Sequence, residues 1–152
     1  MSSAAEFLFL GGKVRKISLP VVQGRPQPKE PYLKRLLLPQ GELAQFHSSP
    51  EGMRYLAYVE LRAGAVRGKH YHKFKEEWIY IISGEVSVVV EDIASRSRDT
   101  VTIASGDLVF IPTGVAHALH VKESGQAIEF SPVAFDPADS YAYNLDSSIA
   151  PA

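Results

Sequence analysis

The sequence predicts an all-β protein, and three observations carry that expectation. From residue 55 onward, short runs rich in β-branched and aromatic residues follow one another at close intervals. Gly-, Pro- and Ser-rich dividers separate them, and no apolar pattern of helical period lasts for three turns. Many short strands joined by turn chemistry indicate a sandwich or a barrel.

Residues 1–54 read as an extended arm. Pro20, Pro26, Pro28, Pro31 and Pro39 rule out a long helix there, because proline removes a donor and clashes inside a helix. The apolar residues Val14, Ile17, Leu19, Val21 and Leu36 to Leu38 predict strands that pack on the body or on a partner subunit. Residues 55–135 form the expected barrel, with strand runs YLAYVEL (55–61), WIYII (78–82), EVSVVVED (85–92), TVTIA (100–104), DLVFI (107–111), HALHV (117–121) and AIEFSPVAF (127–135). The dividers RAGAVRG, SG, ASRSRD, SG, PTG and ESGQ are turn sequences. Residues 136–152 read as a C-terminal tail.

Composition narrows the functional classes. The chain has 152 residues and a formal net charge of −1, an ordinary globular balance that gives no electrostatic reason to expect nucleic acid or an anionic membrane surface. It contains no cysteine, so any metal must be held by nitrogen and oxygen. The N-terminal stretch lacks a basic segment and a secretory apolar run, and no apolar run approaches membrane-helix length. The expected location is cytoplasmic.

The chemistry gathers in GAVRGKHYHKFKEEWIYIISG (64–84). Side chains two apart share a strand face, so His70 and His72 face one way, with Lys69, Tyr71 and Lys73 opposite. Glu77 breaks that parity, and a turn or bulge is needed in between. Beyond it, Glu77, Ile79 and Ile81 share a face, with Trp78, Tyr80 and Ile82 on the other. An acid on an interior face is costly unless it is paired or metal-bound. Further on, His117 opens the apolar face of a strand with Leu119 and Val121, while His120 faces away. The neighbouring Lys69, Lys73 and Lys75 read as a solvated basic turn, and His47 as a solvated loop side chain. Trp78 and Tyr80 read as packing for a second layer or a subunit interface. Tyr58, Phe110 and Phe130 could line a cavity or fill the core.

Together these stretches resemble the two signature motifs of the cupin family. Gly64, His70, His72, Glu77 and Gly84 match the first at the family's spacing; Gly106, Pro112, Gly114 and His117 match the second, whose final Asn is Val121 here. The resemblance implies a single cupin-type jelly-roll β-barrel. It implies His70, His72, Glu77 and His117 as metal ligands, Glu77 rather than Glu76 because only Glu77 keeps the six-residue gap to Gly84. Three imidazoles and a carboxylate suit a divalent transition metal (Fe, Mn, Zn, Ni, Co or Cu), with geometry selecting among them. An octahedral ion would keep two positions open for dioxygen, water or a chelating substrate.

The Arg-Gly-x-His opening and the Ile-Pro-x-Gly-x-x-His turn further resemble cupins of nucleotide-sugar and capsular-polysaccharide biosynthesis. That likeness implies a metal-dependent isomerase or epimerase on a small polar or anionic metabolite, with Arg67 and Tyr71 at the rim as ligand-binding groups. The related deoxysugar 3,5-epimerases carry no metal in this place and use a His–Asp pair, whereas this chain retains His72. An iron-dependent dioxygenase and a non-catalytic small-molecule binding or sensing domain are the alternatives, and the catalytic residues stay unassigned. An apolar arm together with Trp78 and Tyr80 on the barrel exterior predicts a homodimer.

Overall fold

Two long strands organise the molecule. In the computed structural model, which describes residues 4–24 and 32–145, β8 (Glu77–Asp92) and β11 (Val115–Ser131) pair antiparallel over most of their length. Around them lie β1 (Ala5–Phe9), β2 (Val14–Ser18), β3 (Val21–Gln23), β4 (Lys34–Leu38), β5 (Gly41–Gln45), β6 (Tyr55–Leu61), β7 (Val66–Tyr71), β9 (Arg98–Ala104), β10 (Asp107–Ile111) and β12 (Tyr141–Ala142). Pro26, Pro28 and Pro31, and the tail beyond residue 145, lie outside the described residues. A single 3-10 turn at Leu10–Gly12 is the helical content among those described.

β8 and β11 each serve two leaves. The first half of β8 pairs with β10 and with the second half of β11, which in turn pairs with β6. The second half of β8 pairs with β9 and with the first half of β11, which pairs with β7. β1 and β2 extend the first leaf beside β10, and β12 extends the second beside β7. Among the described residues both leaves end in open edges, so the jelly roll does not close into a full barrel.

This corrects the expected strand count. SG (83–84) and ESGQ (123–126) divide no strands; they are the corners at which β8 and β11 cross from leaf to leaf. Gly84 has φ of 94°, and a Cβ there would lie 2.6 Å from the Glu123 carbonyl; one on Gly125 would lie 1.9 Å from the Ser83 carbonyl. Strands that change sheets need such bends, and only glycine permits backbones to approach this closely. The strand AIEFSPVAF also stops at Ser131, and RAGAVRG is not all divider, because β7 begins at Val66.

The parity of the apolar residues holds. Ile79, Ile81, Val86, Val88, Val90, Val101, Ile103, Val109, Ile111, Val115, Leu119 and Val121 form one dry core between the leaves. Trp78, Tyr80, Leu108, Ile128 and Phe130 project from the outer face of the first leaf. They are covered by this chain's own arm through Leu19, Leu33, Ala44, Phe46 and Met53. Phe46 stacks on Tyr80 with ring centroids 4.4 Å apart. On the second leaf, Val89, Ala116 and Ala118 are covered by Tyr71, Ile93, Tyr143 and Leu145.

Candidate functional site

β7 with the residue that follows it, β8 and β11 deliver the four candidate ligands of the paired motif to one place. Ligand atoms of His70, His72, Glu77 and His117 all lie within 4.8 Å of one another. His70 sits opposite His117 in the β7–β11 ladder. Residues 72–76 lie outside the strands, which resolves the parity break before Glu77 at the start of β8.

Arg67 reaches the same cavity by a second irregularity. Plain alternation puts Arg67 on the face opposite His70. The β7–β11 register shifts between His117 and Ala118, and Lys69 adopts φ of 59°, so one extra residue is absorbed and both side chains turn inward. Such bulges re-aim side chains. Gly68, at φ of 87°, makes this possible: a Cβ there would lie 2.8 Å from the His117 carbonyl.

Glu77 is the centre of the network. Its Oε1 lies 2.8 Å from His72 Nε2 and its Oε2 lies 3.0 Å from His117 Nε2. Lys75 Nζ donates to Glu77 Oε1 at 3.2 Å and to Glu129 Oε1 at 3.0 Å, and lies 4.2 Å from the Tyr55 ring centroid. Burial alone would push the Glu77 carboxyl up, but His117, the two imidazole hydrogen bonds and Lys75 hold it well below the usual carboxylate range. Burial, with His117 alongside, lowers His70 to about 4. His72 moves the other way: burial pulls it down, yet Glu77 and the Asp139 carbonyl raise it on balance. Glu129 is pushed up by burial and by the charge of Glu77.

The outer partners of the rings decide which nitrogen faces inward. His72 Nδ1 donates to the Asp139 carbonyl at 2.5 Å, and His117 Nδ1 to the Val115 carbonyl at 3.2 Å. His70 Nδ1 meets Ser140 Oγ at 3.3 Å. Each ring therefore keeps Nε2 for the cluster, the arrangement in which outer hydrogen bonds orient metal-binding histidines. Twice a metal–ligand bond of about 2.2 Å is about 4.4 Å, so the donors need only a small contraction to fit a first-row ion. The residues fit the metal that the motif implies.

The cluster opens on a cavity of about 450 Å³. Val59, Leu61, Ile79, Leu119 and Ala127 give it an apolar wall, and Tyr55, Arg67, Lys75, Glu129, Phe135 and Ser140 add polar and aromatic groups. Tyr71, expected at the rim, turns to the opposite face of β7, where it stacks on Tyr141 and packs edge-on against Tyr143. Strand alternation past His70 sends it there. Tyr58 is exposed and Phe130 is buried under the arm, and neither lines the cavity.

Lys75 corrects a further expectation. Read as part of a solvated turn, it is 4% exposed. Its ion pairs with Glu77 and with Glu129, 54 residues away, and its place over the Tyr55 ring separate it from Lys69 and Lys73. Glu129 carries a weak sequence signal, an acid in the apolar run AIEFS. Asp139 and Ser140 lie in FDPADSYAY (135–143), whose opening Phe-Asp-Pro resembles a stretch after the last barrel strand of some sugar-biosynthesis cupins but assigns neither residue a role.

Comparison with known proteins agrees with this architecture. The chain is 36% identical over 67 residues to the oxalate decarboxylase OxdC of Bacillus subtilis, a match that takes in 44% of this chain and spans 17% of that protein. Among solved structures, a dTDP-4-dehydrorhamnose 3,5-epimerase from Sulfolobus tokodaii superimposes with a TM-score of 0.72 at 18% identity, over 97% of this chain and 87% of that one. The epimerase RmlC from Legionella pneumophila, in complex with dTDP-4-keto-L-rhamnose, gives 0.69 at 15% identity, over 92% and 77%. The TDP-quinovose 3,4-ketoisomerase WlaRB from Campylobacter jejuni gives 0.63 at 15%, over 72% and 88%. At such identities the likeness speaks for the fold. Residues 57–131 match the cupin domain family, and with both signature motifs folded into a two-leaved jelly roll, the chain belongs to the cupin superfamily.

Proposed function

We propose that this cupin is a metal-dependent isomerase or epimerase acting on a small anionic keto sugar, of the nucleotide-linked kind named for its structural neighbours. The observation that carries the proposal is the convergence of His70, His72, Glu77 and His117 on the wall of a cavity that Arg67 also lines. A divalent ion held by those four residues would supply Lewis acidity to a substrate carbonyl, making the neighbouring C–H more acidic. Arg67 offers a fork of donors suited to a phosphate or carboxylate. The apolar wall keeps water from the reacting carbon, and Tyr55, Lys75 and Glu129 are the described cavity residues outside the ligand set and Arg67 that carry ionisable protons. Among the described residues His70 Nδ1 meets the Ser140 hydroxyl, which speaks against the His–Asp pair of the metal-free epimerases.

Incubation of the metal-loaded protein with nucleotide-linked 4-keto-6-deoxyhexoses in D₂O tests the proposal. Deuterium should appear at a carbon next to the ketone, read by mass spectrometry and proton NMR. A fully loaded protein that exchanges no C–H of any keto sugar rejects it. A second reading, chemistry on a small dicarboxylate, is favoured by the match to oxalate decarboxylase; carbon dioxide release from oxalate would support it instead. Assembly as a homodimer also belongs to the proposal. Leu56 and Tyr58 are 69% and 60% exposed on β6, an edge strand of the first leaf, and a monomer by light scattering at micromolar concentration rejects it.

A further inference from the structure

The four candidate ligands lie within the segment that matches the cupin domain, which ends at residue 131. Their support does not. The chain continues past β11 and returns across the mouth of the cavity, where Phe135, Pro137 and Ser140 join the lining. β12 then pairs with β7 beside His70 and Tyr71, and the Tyr143 N–H donates to the Lys69 carbonyl. Within this strap, Asp139 is 5% exposed and makes four hydrogen bonds to the ligand-bearing stretch. Its Oδ1 accepts the Lys73 N–H at 2.8 Å, and its Oδ2 accepts those of Phe74 at 3.1 Å and Lys75 at 3.0 Å. Its backbone carbonyl accepts His72 Nδ1.

Those contacts address the problem posed by the sequence between His72 and Glu77. An odd number of steps must be absorbed for both side chains to face the cavity, and the loop that absorbs them leaves successive N–H groups without a ladder partner. Buried backbone donors need acceptors. One carboxylate satisfies three of them, and the same residue's carbonyl sets which nitrogen of His72 carries the proton. We propose that Asp139 is a positioning residue: it folds the loop between the first-motif histidines and Glu77, and it fixes the ring of His72 with Nε2 inward. The completed site is therefore built from the cupin domain and a strap outside it, and a chain ending with the domain would hold His72 and Lys75 loosely.

The inference rests on the metal proposal for one of its two readouts only. The first readout is the His72 Nδ1–H resonance in ¹⁵N-labelled full-length protein, which a short buried hydrogen bond should make visible and slow to exchange with or without metal. Asp139→Ala should lose it, since the carbonyl of residue 139 then lacks the three side-chain hydrogen bonds that seat it against the ring, while Asp139→Asn, which still accepts from the loop with one oxygen, should keep it. The second readout is Co²⁺ affinity by chelator competition, expected to weaken about 10- to 100-fold in Asp139→Ala and by less in Asp139→Asn. Should Asp139→Ala fail to fold, Asp139→Asn must still weaken Co²⁺ binding relative to the wild type or speed exchange of the His72 proton. Wild-type protein that binds no Co²⁺ but loses the resonance in Asp139→Ala would end the metal proposal and leave the positioning role standing. A folded Asp139→Ala protein with the resonance intact and Co²⁺ affinity unchanged would overturn it.

Discussion

β8 begins with one buried carboxylate and ends with another, and the two ends do different work. Glu77 lies among His72, His117 and Lys75. Asp92 accepts from Lys13 Nζ at 2.8 Å, the Ser95 hydroxyl at 2.8 Å and the Ala94 N–H at 3.3 Å. Both are under a tenth exposed. The difference lies in their partners. Ammonium, hydroxyl and amide groups at Asp92 serve as donors there and close a turn. Two of the three partners of Glu77 are imidazoles, which can exchange a proton for a metal ion. A buried acid is thus a candidate for chemistry when its neighbours can change state, and a structural pin when they cannot.

The comparison breaks most sharply at Glu77. Glu77→Gln leaves Lys75 and two histidines short of their shared partner, and removing one member of a buried ionic cluster costs about 3–5 kcal/mol. Urea denaturation of the metal-free protein reads the loss, and calorimetry with Co²⁺ should show binding abolished in the same variant. Four residues along the same strand face, Ile81 is fully buried in apolar surroundings. Ile81→Ala should cost about 3 kcal/mol as a cavity yet leave Co²⁺ affinity unchanged; a coupled loss of metal would mean that the core and the site are not separable. Arg67→Ala should weaken binding of a nucleotide sugar by about 1–3 kcal/mol, again with metal content intact.

The smallest effect is expected at Asp92, and its sign follows from its partners. Hydrogen bonds from Lys13 and Ser95 hold its carboxyl below the usual value of 3.8, so the folded state binds a proton less readily than the unfolded one. Its stabilisation is present above that value and is lost as pH falls through the lower folded value. The difference in thermal midpoint between wild type and Asp92→Asn should be present at pH 7 and shrink on acidification below the carboxylate range. A gap that widens there would mean that the Lys13 pair does not govern this end of β8.

The sequence carried much of this contrast, but unevenly. Alternation along β8 told which side chains face inward, because a strand's period is local. His70, His72, Glu77 and His117 were joined instead by the resemblance to the cupin motifs, since no local period links His117 to residues 40 or more positions earlier. What stayed hidden depends on partners distant in sequence. Lys75 resembles Lys69 and Lys73 until Glu129 is placed beside it. Arg67 enters the cavity only through the bulge at Gly68 and Lys69, while Tyr71 is sent away by plain alternation. Trp78 and Tyr80 were legible as a packing surface; that the chain's own arm would cover them was not, since a partner subunit satisfies the same pattern. The corners at Gly84 and Gly125 looked like turns because glycine serves both uses.

Those corners have a consequence for how the molecule folds. β8 and β11 each contribute to both leaves, so neither leaf is a contiguous piece of chain that could form first and wait. The pairings that build them join residues far apart in sequence, such as Phe130 with Trp78 and Val115 with Asp92. Chains dominated by such contacts pay loop-closure entropy before the contacts form, and they fold on the millisecond-to-second scale. Unfolding should run as one cooperative event, with fluorescence from Trp78 in the first leaf and hydrogen exchange at Val89 in the second reporting the same transition.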